Sequence, residues 1–482
     1  MKILFIIPPF GFRKEGEKIT QKKGFMPPLG IALLGTILDA DGHDVKILDL
    51  QVEQFTEEEL LAYVAGFRPG LVCISMLDAT VKIVNRIFSV VKENFLEIIT
   101  VCGGVHASIY PKDTLRENVD IDYLVYGEAE QTLKELVLAL ESQTTVAFVK
   151  GVYYRGENGE MLFTGYRPLV QDLDIFPIPN RKFFDLKKYI PTPNQYKRMP
   201  ATNMITGRGC TYSLCTFCFE STSYVREKGY RRVSVQRAVD EIQYLQKEYG
   251  IREIVFWDDE FLMGAEWVEQ FCDALIEQRV DILWSCYGKV NFVKPERMKK
   301  MRAAGCWNIF FGLESGNQEL LNFMKKGQTL DMMRNAVQWA HDVGIEVRGS
   351  FILGLPLETP EMGKKTVDFA LELNLDYGQF NLTTPFTGTE MYEACKSGKY
   401  GTFSGEEDFE KYTTASVVFL PKDYKDEQEL LHLRDSAYRR FYLRPKYLWL
   451  KIRSINSAED FLRYWRGLLF LLEVRLLRRG NY

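Results

Sequence analysis

Short apolar runs alternate with amphipathic helical stretches over most of the 482 residues, and this alternation constrains the fold more than any other feature. Strands that are apolar on both faces and alternate with helices are typical of parallel sheets covered by helices on each side. The pattern occurs twice, and a predicted hairpin with a proline-bearing linker separates the two occurrences at 146–195. The sequence therefore predicts an α/β protein with two parallel sheets in separate domains.

The first domain, residues 1–145, contains five predicted strands with helical patterns near 29–40, 56–65, 79–94 and 128–141. Five such units fit a flavodoxin-like, Rossmann-type sheet, whose ligands bind at the carboxyl ends of the strands. The strands are predicted at Lys2–Ile7, Val45–Leu50, Leu71–Ser75, Ile98–Cys102 and Tyr123–Tyr126.

The second domain, residues 196–400, repeats the alternation six times. Six strand–helix units in about 200 residues predict a complete or partial TIM-type barrel, (β/α)6 when partial, with function on the loops after the strands. The strands are predicted near 201–206, 252–257, 282–287, 307–312, 347–353 and 379–384.

The C-terminal domain, residues 401–482, is predicted to be helical and is locally basic. Residues 438–482 contain eleven Lys and Arg against three Asp and Glu, around a short apolar block at 467–472. Runs of charge are usually solvated faces, which favours a helical cap packed on the barrel. The alternative is an interfacial helix that contacts an anionic membrane or an anionic substrate.

Charge and composition exclude several classes of protein. The net charge of −4 gives no overall basic field, so no nucleic-acid partner is expected. The four histidines are not spaced as a zinc pair, and no apolar run of about 18 residues predicts a membrane span. The first apolar run is too short for a signal peptide, so a reducing cytoplasmic location is expected and the nine cysteines are explained by chemistry or burial.

Three of the nine cysteines, Cys210, Cys215 and Cys218, lie within nine residues directly after the first predicted barrel strand. Three thiolates on one loop can converge on a metal centre, but no fourth Cys or His nearby completes a tetrahedral zinc site. An iron–sulfur cubane held by three cysteines keeps one iron open for another ligand. A zinc knuckle or three unrelated buried thiols are the alternatives.

This loop, with the aromatic Phe217 before its last cysteine, resembles the radical S-adenosylmethionine (SAM) superfamily. The resemblance implies that Cys210, Cys215 and Cys218 ligate a [4Fe–4S] cluster, that SAM chelates the fourth iron, and that Phe217 lies near the adenine. The spacing here is C-x4-C-x2-C, whereas C-x3-C-x2-C is the commonest in that superfamily. A loop longer by one residue can still present three thiolates.

Motifs at later strand ends strengthen the resemblance by their order. Acidic residues at 258–260 follow the second barrel strand, and Lys289 follows the third, where relatives often carry arginine. The Gly-Leu-Glu-Ser-Gly segment at 312–316 ends the fourth strand. For Asp259, after the second strand, the alternative role is to cap the helix that follows. The resemblance implies SAM contacts by Asp258, Asp259, Glu260, Lys289, Glu314, Ser315, Ile352 and Gly354.

Glycine-bearing turns near strand ends of the first domain resemble the cobalamin-binding domain of one large class of radical SAM enzymes. The Asp-x-His-x-x-Gly motif that supplies an axial histidine is absent, so the resemblance implies cobalamin bound with its own base displaced and no imidazole in its place. A flavodoxin-like domain that binds nothing is the alternative. The implied cobalamin contacts are Pro28, Leu29, Ser75, Met76, Gly103, Gly104, Val105, His106, Gly127 and Glu128, with His106 more typical of a hydrogen-bonded loop residue than of a ligand.

The resemblance covers nearly the whole chain and implies a cobalamin-dependent enzyme that methylates an unactivated carbon through a 5′-deoxyadenosyl radical and methylcobalamin. The alternatives are a radical cyclase or other oxidative enzyme acting on a porphyrin or a lipid, and, more distantly, a sensor without turnover. The expected partners are a small-molecule or lipid-like substrate and an external electron donor of the flavodoxin or ferredoxin type. The basic tail adds peripheral membrane contact as a further expectation.

Overall fold

The computed structural model describes residues 1–17, 24–219, 229–404, 412, 415–455, 457 and 459–467. Within these residues the chain forms two compact units, the first made of Met1–Ile190 with Tyr412 and the second of the remaining described residues from Pro191 on. Each unit is built around a largely parallel sheet with helices in its connections, which confirms the predicted α/β class.

The first unit contains a seven-stranded sheet in the order β2-β1-β3-β4-β5-β6-β7. Strands β1 to β5 are parallel and their order is that of flavodoxin-like sheets, as predicted. The point at which the strand order reverses lies between β1 and β3, and ligands bind there in such sheets. The strands are β1 Lys2–Ile7, β2 Asp44–Asp49, β3 Leu71–Ser75, β4 Ile99–Gly103, β5 Tyr123–Val125, β6 Val152–Arg155 and β7 Met161–Phe163.

Alternate residues of these strands enter two different hydrophobic cores, one on each face of the sheet. In β1, Leu4 and Ile6 lie in one core, and Ile3 and Phe5 lie in the other. Full burial of each such side chain stabilises the fold by about 1.5–3 kcal/mol. The helices of this unit are α1 Leu29–Ala40, α2 Leu50–Glu53, α3 Glu57–Phe67, α4 Val81–Asn94, α5 Val105–Ile109, α6 Pro111–Glu117 and α7 Glu130–Glu141.

The predicted hairpin forms as β6 and β7, joined by a turn in which Gly159 has a positive φ of 81°. Its first strand pairs antiparallel with β5, so that Val152 lies opposite Val125. The hairpin therefore extends the first sheet, a pairing that local sequence patterns did not reveal.

The second unit contains six parallel strands in consecutive order, as expected of a partial (β/α)6 barrel. They are β8 Ala201–Met204, β11 Glu253–Phe256, β12 Leu283–Gly288, β13 Cys306–Glu314, β14 Glu346–Leu353 and β15 Tyr377–Leu382. Two short antiparallel pairs accompany them, formed by β9 Gly207–Arg208 with β10 Arg231–Arg232, and by β16 Gly401–Phe403 with β17 Phe419–Pro421. The helices between the strands are α8 Val235–Tyr249, α9 Ala265–Glu277, α10 Pro295–Ala303, α11 Gln318–Phe323, α12 Leu330–Asp342, α13 Pro360–Glu372 and α14 Glu390–Lys396.

The C-terminal domain, predicted to be helical over 401–482, begins instead with the antiparallel pair β16 and β17, and its described helices start at Glu427. Helix α15, Glu427–Tyr442, packs on the outer face of β15, where its last residue Tyr442 donates a hydrogen bond from its hydroxyl to the Gly378 carbonyl at 2.9 Å. Helix α16, Pro445–Arg453, and helical residues 459–467 follow. The predicted apolar block at 467–472 lies outside the described residues beyond its first residue.

Candidate functional site

The cysteine loop begins directly after β9 and stands apart from the other thiols of the chain. Cys210, Cys215 and Cys218 are partly exposed, whereas the other six cysteines are buried, as predicted for packing residues. The loop is attached to the rest of the unit by its backbone, since the Thr216 N–H donates to the Met324 carbonyl at 3.0 Å. The three thiols are thus the accessible ones on a loop anchored to the rest of the unit.

Among the described residues, no group of three His, Cys, Asp or Glu side chains is close enough to hold one metal ion. In a cubane each thiolate binds a different iron, so the sulfurs stay further apart than the ligands of one zinc ion.

Two buried lysines place positive charge beside the thiols. Lys326 Nζ lies 2.8 Å from Glu314 Oε1 and 5.4 Å from the centroid of the Phe217 ring. Lys289 Nζ lies 2.8 Å from the centroid of the Tyr212 ring and has no hydrogen-bond partner in the described part of the chain. Burial lowers the pKa of Lys289 to about 8. Two ammonium groups beside the thiols would be complementary to an anionic iron–sulfur cluster.

Lys326 was not among the predicted site residues. The pair of lysines before Gly327 was visible in the sequence, but only the fold shows which one is buried. Although burial alone would lower the pKa of Lys326, the Glu314 carboxylate and the Cys215 sulfur raise it above its ordinary value.

The acidic residues after β11 divide into two roles. Asp258 is 2% exposed and accepts hydrogen bonds from the Thr206 N–H at 3.1 Å and the Thr206 hydroxyl at 2.6 Å. Asp259 accepts one from the Gly209 N–H at 3.3 Å, so both hold the segment that leads into the cysteine loop. Glu260 is buried beside the Lys289 backbone, and burial raises the pKa of its carboxyl to about 8.

Glu314 and Ser315 follow each other but lie in different environments. Glu314 has a positive φ of 65° at the end of β13, where its Oε2 lies 3.4 Å from the Ser350 hydroxyl. The Ser315 hydroxyl is fully buried, 3.2 Å from the Thr366 hydroxyl, and accepts a hydrogen bond from the Asn317 N–H. Glu314 therefore lies beside Lys326 near the cysteine loop, whereas the Ser315 side chain contacts α13 and fixes the turn after β13.

The turn after β14 carries the last two predicted SAM contacts. Ile352 is partly exposed, and Gly354 has a positive φ of 77°. A Cβ on Gly354 would lie 2.7 Å from a methyl group of Leu430 in α15. The packing of α15 is therefore a reason for glycine at this position, whether or not a ligand also approaches it. The Gly354 N–H donates to Glu358 Oε1 at 2.6 Å, and the Tyr424 hydroxyl donates to the same oxygen at 2.7 Å.

Glu358 predicts a pH dependence of stability. Burial raises the pKa of its carboxyl from an ordinary 4.5 to about 7, so the folded state binds the proton more tightly than the unfolded chain. This group therefore makes the free energy of unfolding fall as the pH rises from 4.5 to 7. The difference in free energy of unfolding between Glu358→Gln and wild type, measured by urea denaturation, should therefore rise in favour of the variant by about 3 kcal/mol from pH 4.5 to pH 8. Glu361→Gln, at an exposed carboxyl whose pKa lies below 4.5, should show no such gain, and an equal gain in both variants would contradict the assignment.

The candidate cobalamin site of the first unit lies at the carboxyl ends of β3 and β4. The Met76 N–H donates to the Gly103 carbonyl at 2.8 Å, and the His106 N–H donates to the Met76 carbonyl at 3.1 Å. Gly104 has a positive φ of 94°, and a Cβ there would lie 2.5 Å from the Ser75 hydroxyl. The two loops thus meet backbone to backbone in a way that only glycine permits.

Apolar side chains are exposed at the carboxyl ends of three adjacent strands. Phe10 follows β1, Leu77 follows β3 and Val105 follows β4, with exposed fractions of 66%, 52% and 37%. Such a rim on the switch-point edge fits a large, flat and mainly apolar ligand such as a corrin. Phe10 and Leu77 were not predicted as contacts, because single exposed apolar residues carry no signal in a sequence.

His106 is buried at 5% exposure, with Nδ1 2.7 Å from Asp78 Oδ1. Its ring packs 5.3 Å from that of Tyr110. It is thus hydrogen-bonded, as the sequence suggested, although it lies in the short helix α5 and not in a loop. Of the other predicted contacts, Gly127 donates its N–H to the Ser108 hydroxyl at 3.1 Å, Met76 and Leu29 are buried, and Pro28 and Glu128 are partly buried.

Gly104→Ala should disturb this edge strongly. The new methyl group would meet Met76 backbone atoms at 2.8 Å in a conformation that L side chains rarely adopt. We expect a loss of about 2–4 kcal/mol in the free energy of unfolding, read by urea denaturation, together with weaker retention of cobalamin on gel filtration. Gly30→Ala is the matched control, because its Cβ would meet nothing within 4 Å, and a comparable loss there would contradict the expectation.

Two family models match the chain. A model of the radical SAM superfamily matches residues 204–370, and a model of the B12 binding domain matches residues 19–137. The first match spans the cysteine loop and β11 to β14, and the second spans the glycine-bearing loops of the first unit.

Three known proteins are similar over most of their length. An uncharacterized methyltransferase of Pyrococcus horikoshii is 34% identical over 97% of this chain and 98% of its own. An anaerobic magnesium-protoporphyrin IX monomethyl ester cyclase of Rubrivivax gelatinosus is 29% identical over 96% and 81%. The solved structure of the radical SAM methyltransferase TsrM from Kitasatospora setae, with cobalamin and a [4Fe–4S] cluster bound, has a TM-score of 0.68 at 21% identity, covering 84% and 76%.

Proposed function

The chain belongs to the radical SAM superfamily, in the group that carries a B12-binding domain, and from this premise we propose that it methylates an unactivated carbon of a small molecule. The observation that carries the proposal is the 34% identity to the uncharacterized methyltransferase of Pyrococcus horikoshii, over 97% of this chain and 98% of the relative. The family assignment confirms the predicted domain types and the predicted enzyme class. It also supports SAM, a [4Fe–4S] cluster and cobalamin as the cofactors.

The residues of the second unit fit the cluster and SAM. Cys210, Cys215 and Cys218 would ligate three irons, and Lys289 with Lys326 would balance the negative charge of the cluster. When bound, the cluster supplies the electron that cleaves SAM to a 5′-deoxyadenosyl radical, and cobalamin supplies the methyl group.

The acidic residues would divide the remaining tasks. Glu260 and Glu314 would accept hydrogen bonds from SAM, with Phe217 beside its adenine. Asp258 and Asp259 would keep the cysteine loop in place through Thr206 and Gly209. Ile352 and Gly354 would complete the SAM contacts at the end of β14.

The first unit would hold cobalamin on its switch-point edge. Gly103 and Gly104 would let the nucleotide tail pass the sheet, and Leu77 and Val105 would contact the corrin. Because His106 is paired with Asp78, its role would be to hold the loop and not to ligate cobalt.

An isotope experiment tests methyl transfer. The reconstituted enzyme is incubated with SAM carrying a deuterated methyl group, a strong reductant and a small-molecule extract that serves as the source of candidate substrates. The products are analysed by mass spectrometry. Products heavier by the labelled methyl group are the expected result. Unlabelled product formed together with 5′-deoxyadenosine would instead support a radical cyclase, the second candidate, which the similarity to the Rubrivivax enzyme favours.

We also propose an external flavodoxin- or ferredoxin-type electron donor and a reducing, cytoplasmic setting. All nine cysteines are free in the structure, which suits a compartment that keeps thiols reduced. SAM cleavage driven by a reduced flavodoxin, in place of a chemical reductant, would test the donor. Absence of cleavage with reduced flavodoxin and with reduced ferredoxin, in a preparation that cleaves SAM with dithionite, would contradict it.

The C-terminal helices support a peripheral membrane contact. Their buried sides carry cations, since Lys451 pairs with Asp376 at 3.5 Å and Arg463 donates to the Tyr196 carbonyl at 3.1 Å. Their outward sides carry large apolar groups at helical spacing, beside exposed basic residues. These are Trp449, Ile452, Phe461 and Trp465, which are 50–63% exposed.

An apolar, aromatic and basic face of this kind suits the surface of an anionic bilayer. Among the described helices, none has the length and apolarity to cross a bilayer. Sedimentation with phosphatidylglycerol vesicles should exceed that with phosphatidylcholine vesicles and fall in Trp449→Ser/Trp465→Ser. Leu96→Ser, at an exposed apolar residue of the first unit, is the control, and no difference between the two vesicles would contradict the contact.

A further inference from the structure

The second sheet contains a buried arginine that none of the proposed cofactor contacts uses. Arg348 lies in β14 and is 3% exposed. Its Nε donates to Asn308 Oδ1 at 2.6 Å, and its guanidinium lies 5.0 Å from the Phe310 ring centroid and 5.6 Å from that of Tyr287. Its Nη2 has no hydrogen-bond partner among the residues that the structure describes.

No carboxylate of the described chain forms an ion pair with Arg348. The acidic residues of β13 and β14 pair with lysines, Glu346 with Lys197 at 2.8 Å and Glu314 with Lys326 at 2.8 Å. A guanidinium keeps its proton when buried, and a buried charge is costly unless an opposite charge meets it. The two rings and one amide oxygen offset only part of that cost.

Arg348 points to the inner face of the sheet. On β15, Gly378 and Phe380 contact α15 on the outer face, so the residues between and beside them, such as Gln379, face inward. In the pairing of β14 with β15, Arg348 lies beside Tyr377 and Ser350 lies beside Gln379. Paired residues of adjacent strands point to the same face, so Arg348 and Ser350 also face inward.

The inner face is open to water above Arg348. Tyr287, Phe310 and Ile352 are partly exposed although they lie on barrel strands, and Gln379 is exposed. The Gln379 amide donates to Asn381 Oδ1 at 3.0 Å, which leaves the other Gln379 and Asn381 groups for a ligand. The rings of Tyr287 and Phe310 thus lie around the guanidinium, and the amides of Gln379 and Asn381 lie on the neighbouring strand; we call this part of the inner face the recess.

We propose that this recess is the substrate pocket and that Arg348 binds an anionic group of the substrate, a carboxylate, phosphate or phosphonate. A guanidinium fork matches such groups geometrically, and the pre-set Nε contact with Asn308 orients it. The rings of Tyr287 and Phe310 would contact the body of the substrate. Ser350 lies two residues after Arg348 on β14, about 7 Å further along the strand. Ser350 contacts Glu314, so this direction leads toward the end of the barrel that carries the cysteine loop. The proposal rests on the proposed function, because it names the substrate class of the same site.

Small aromatic probes test the pocket without turnover. The reconstituted full-length enzyme is mixed with phenylphosphonate, benzoate or the neutral benzamide, and binding is measured by saturation-transfer NMR. We expect both anions to bind more tightly than benzamide. Arg348→Met should weaken phenylphosphonate binding at least tenfold, and Arg348→Lys should weaken it several-fold, because lysine keeps the charge and loses the fork. Arg302→Met, at an exposed arginine of α10, should change nothing.

Three outcomes would overturn the proposal. They are equal binding of benzamide and phenylphosphonate, unchanged phenylphosphonate binding in both Arg348 variants, and a loss of SAM affinity in those variants with no loss for the probe. The last would assign Arg348 to the SAM carboxylate. Cluster absorption and unfolding temperature show whether each variant is folded, and Arg348→Lys decides the matter where the methionine variant is not. Probe binding through Arg348 without transfer of labelled methyl would contradict only the proposed function.

Discussion

Replacing Cys215 by alanine should remove the [4Fe–4S] cluster and reduce SAM cleavage by at least about 1000-fold. Cys215 lies in the middle of the cysteine loop, and its sulfur faces both Lys289 and Lys326. Two remaining thiolates cannot hold three irons, so the cluster becomes labile. The measurements are iron and sulfide content after anaerobic reconstitution, the charge-transfer absorption of the cluster, and 5′-deoxyadenosine formed with dithionite.

The matched control is Cys395→Ala. Cys395 is fully buried in α14, and burial raises the pKa of its thiol to about 12, as expected of an inert packing residue. This variant should keep the full iron content and most of the activity. A Cys215→Ala protein that still holds four irons per chain, or a Cys395→Ala protein that loses them, would show that the ligands are assigned wrongly.

The sequence predicted the strands well because they are apolar on both faces. β1 and β3 begin and end where the apolar runs do, and the six barrel strands lie within a few residues of their predicted positions. The cysteine triplet was equally visible, since residues that ligate one cluster are close together in the chain. Both patterns lie within one short stretch of the chain, so they can be recognised in the sequence without knowledge of the fold.

Contacts between distant segments were not predictable in this way. Lys326 and Arg348 look like ordinary surface cations in the sequence, and only burial against Glu314 or Asn308 distinguishes them. Conversely, Asp258 and Ser315 matched family motifs, yet their side chains bind Thr206 and Thr366. A motif shows which residues surround a site, but tertiary hydrogen bonding decides which of them face the ligand.

Lys326→Met should lower the free energy of unfolding of the second unit by about 3–5 kcal/mol. The substitution leaves the Glu314 carboxylate buried at 5% exposure without its partner at 2.8 Å. It also removes a cation that faces Cys215 and Cys218, so cluster retention should fall as well. Urea denaturation of the reconstituted protein, with iron content measured in parallel, reads both effects.

Neighbouring substitutions separate the buried pair from a general effect of losing a lysine. Lys325 pairs with Glu390 at the surface, where both side chains are more than half exposed, so Lys325→Met should cost no more than about 1 kcal/mol. The double variant Lys326→Met/Glu314→Gln should recover most of the lost stability, because no unpaired charge then remains buried. It should not recover cluster retention, since the positive charge is still missing. Equal losses for the two lysines, or a double variant as unstable as Lys326→Met, would mean that the pair is not the source of the effect.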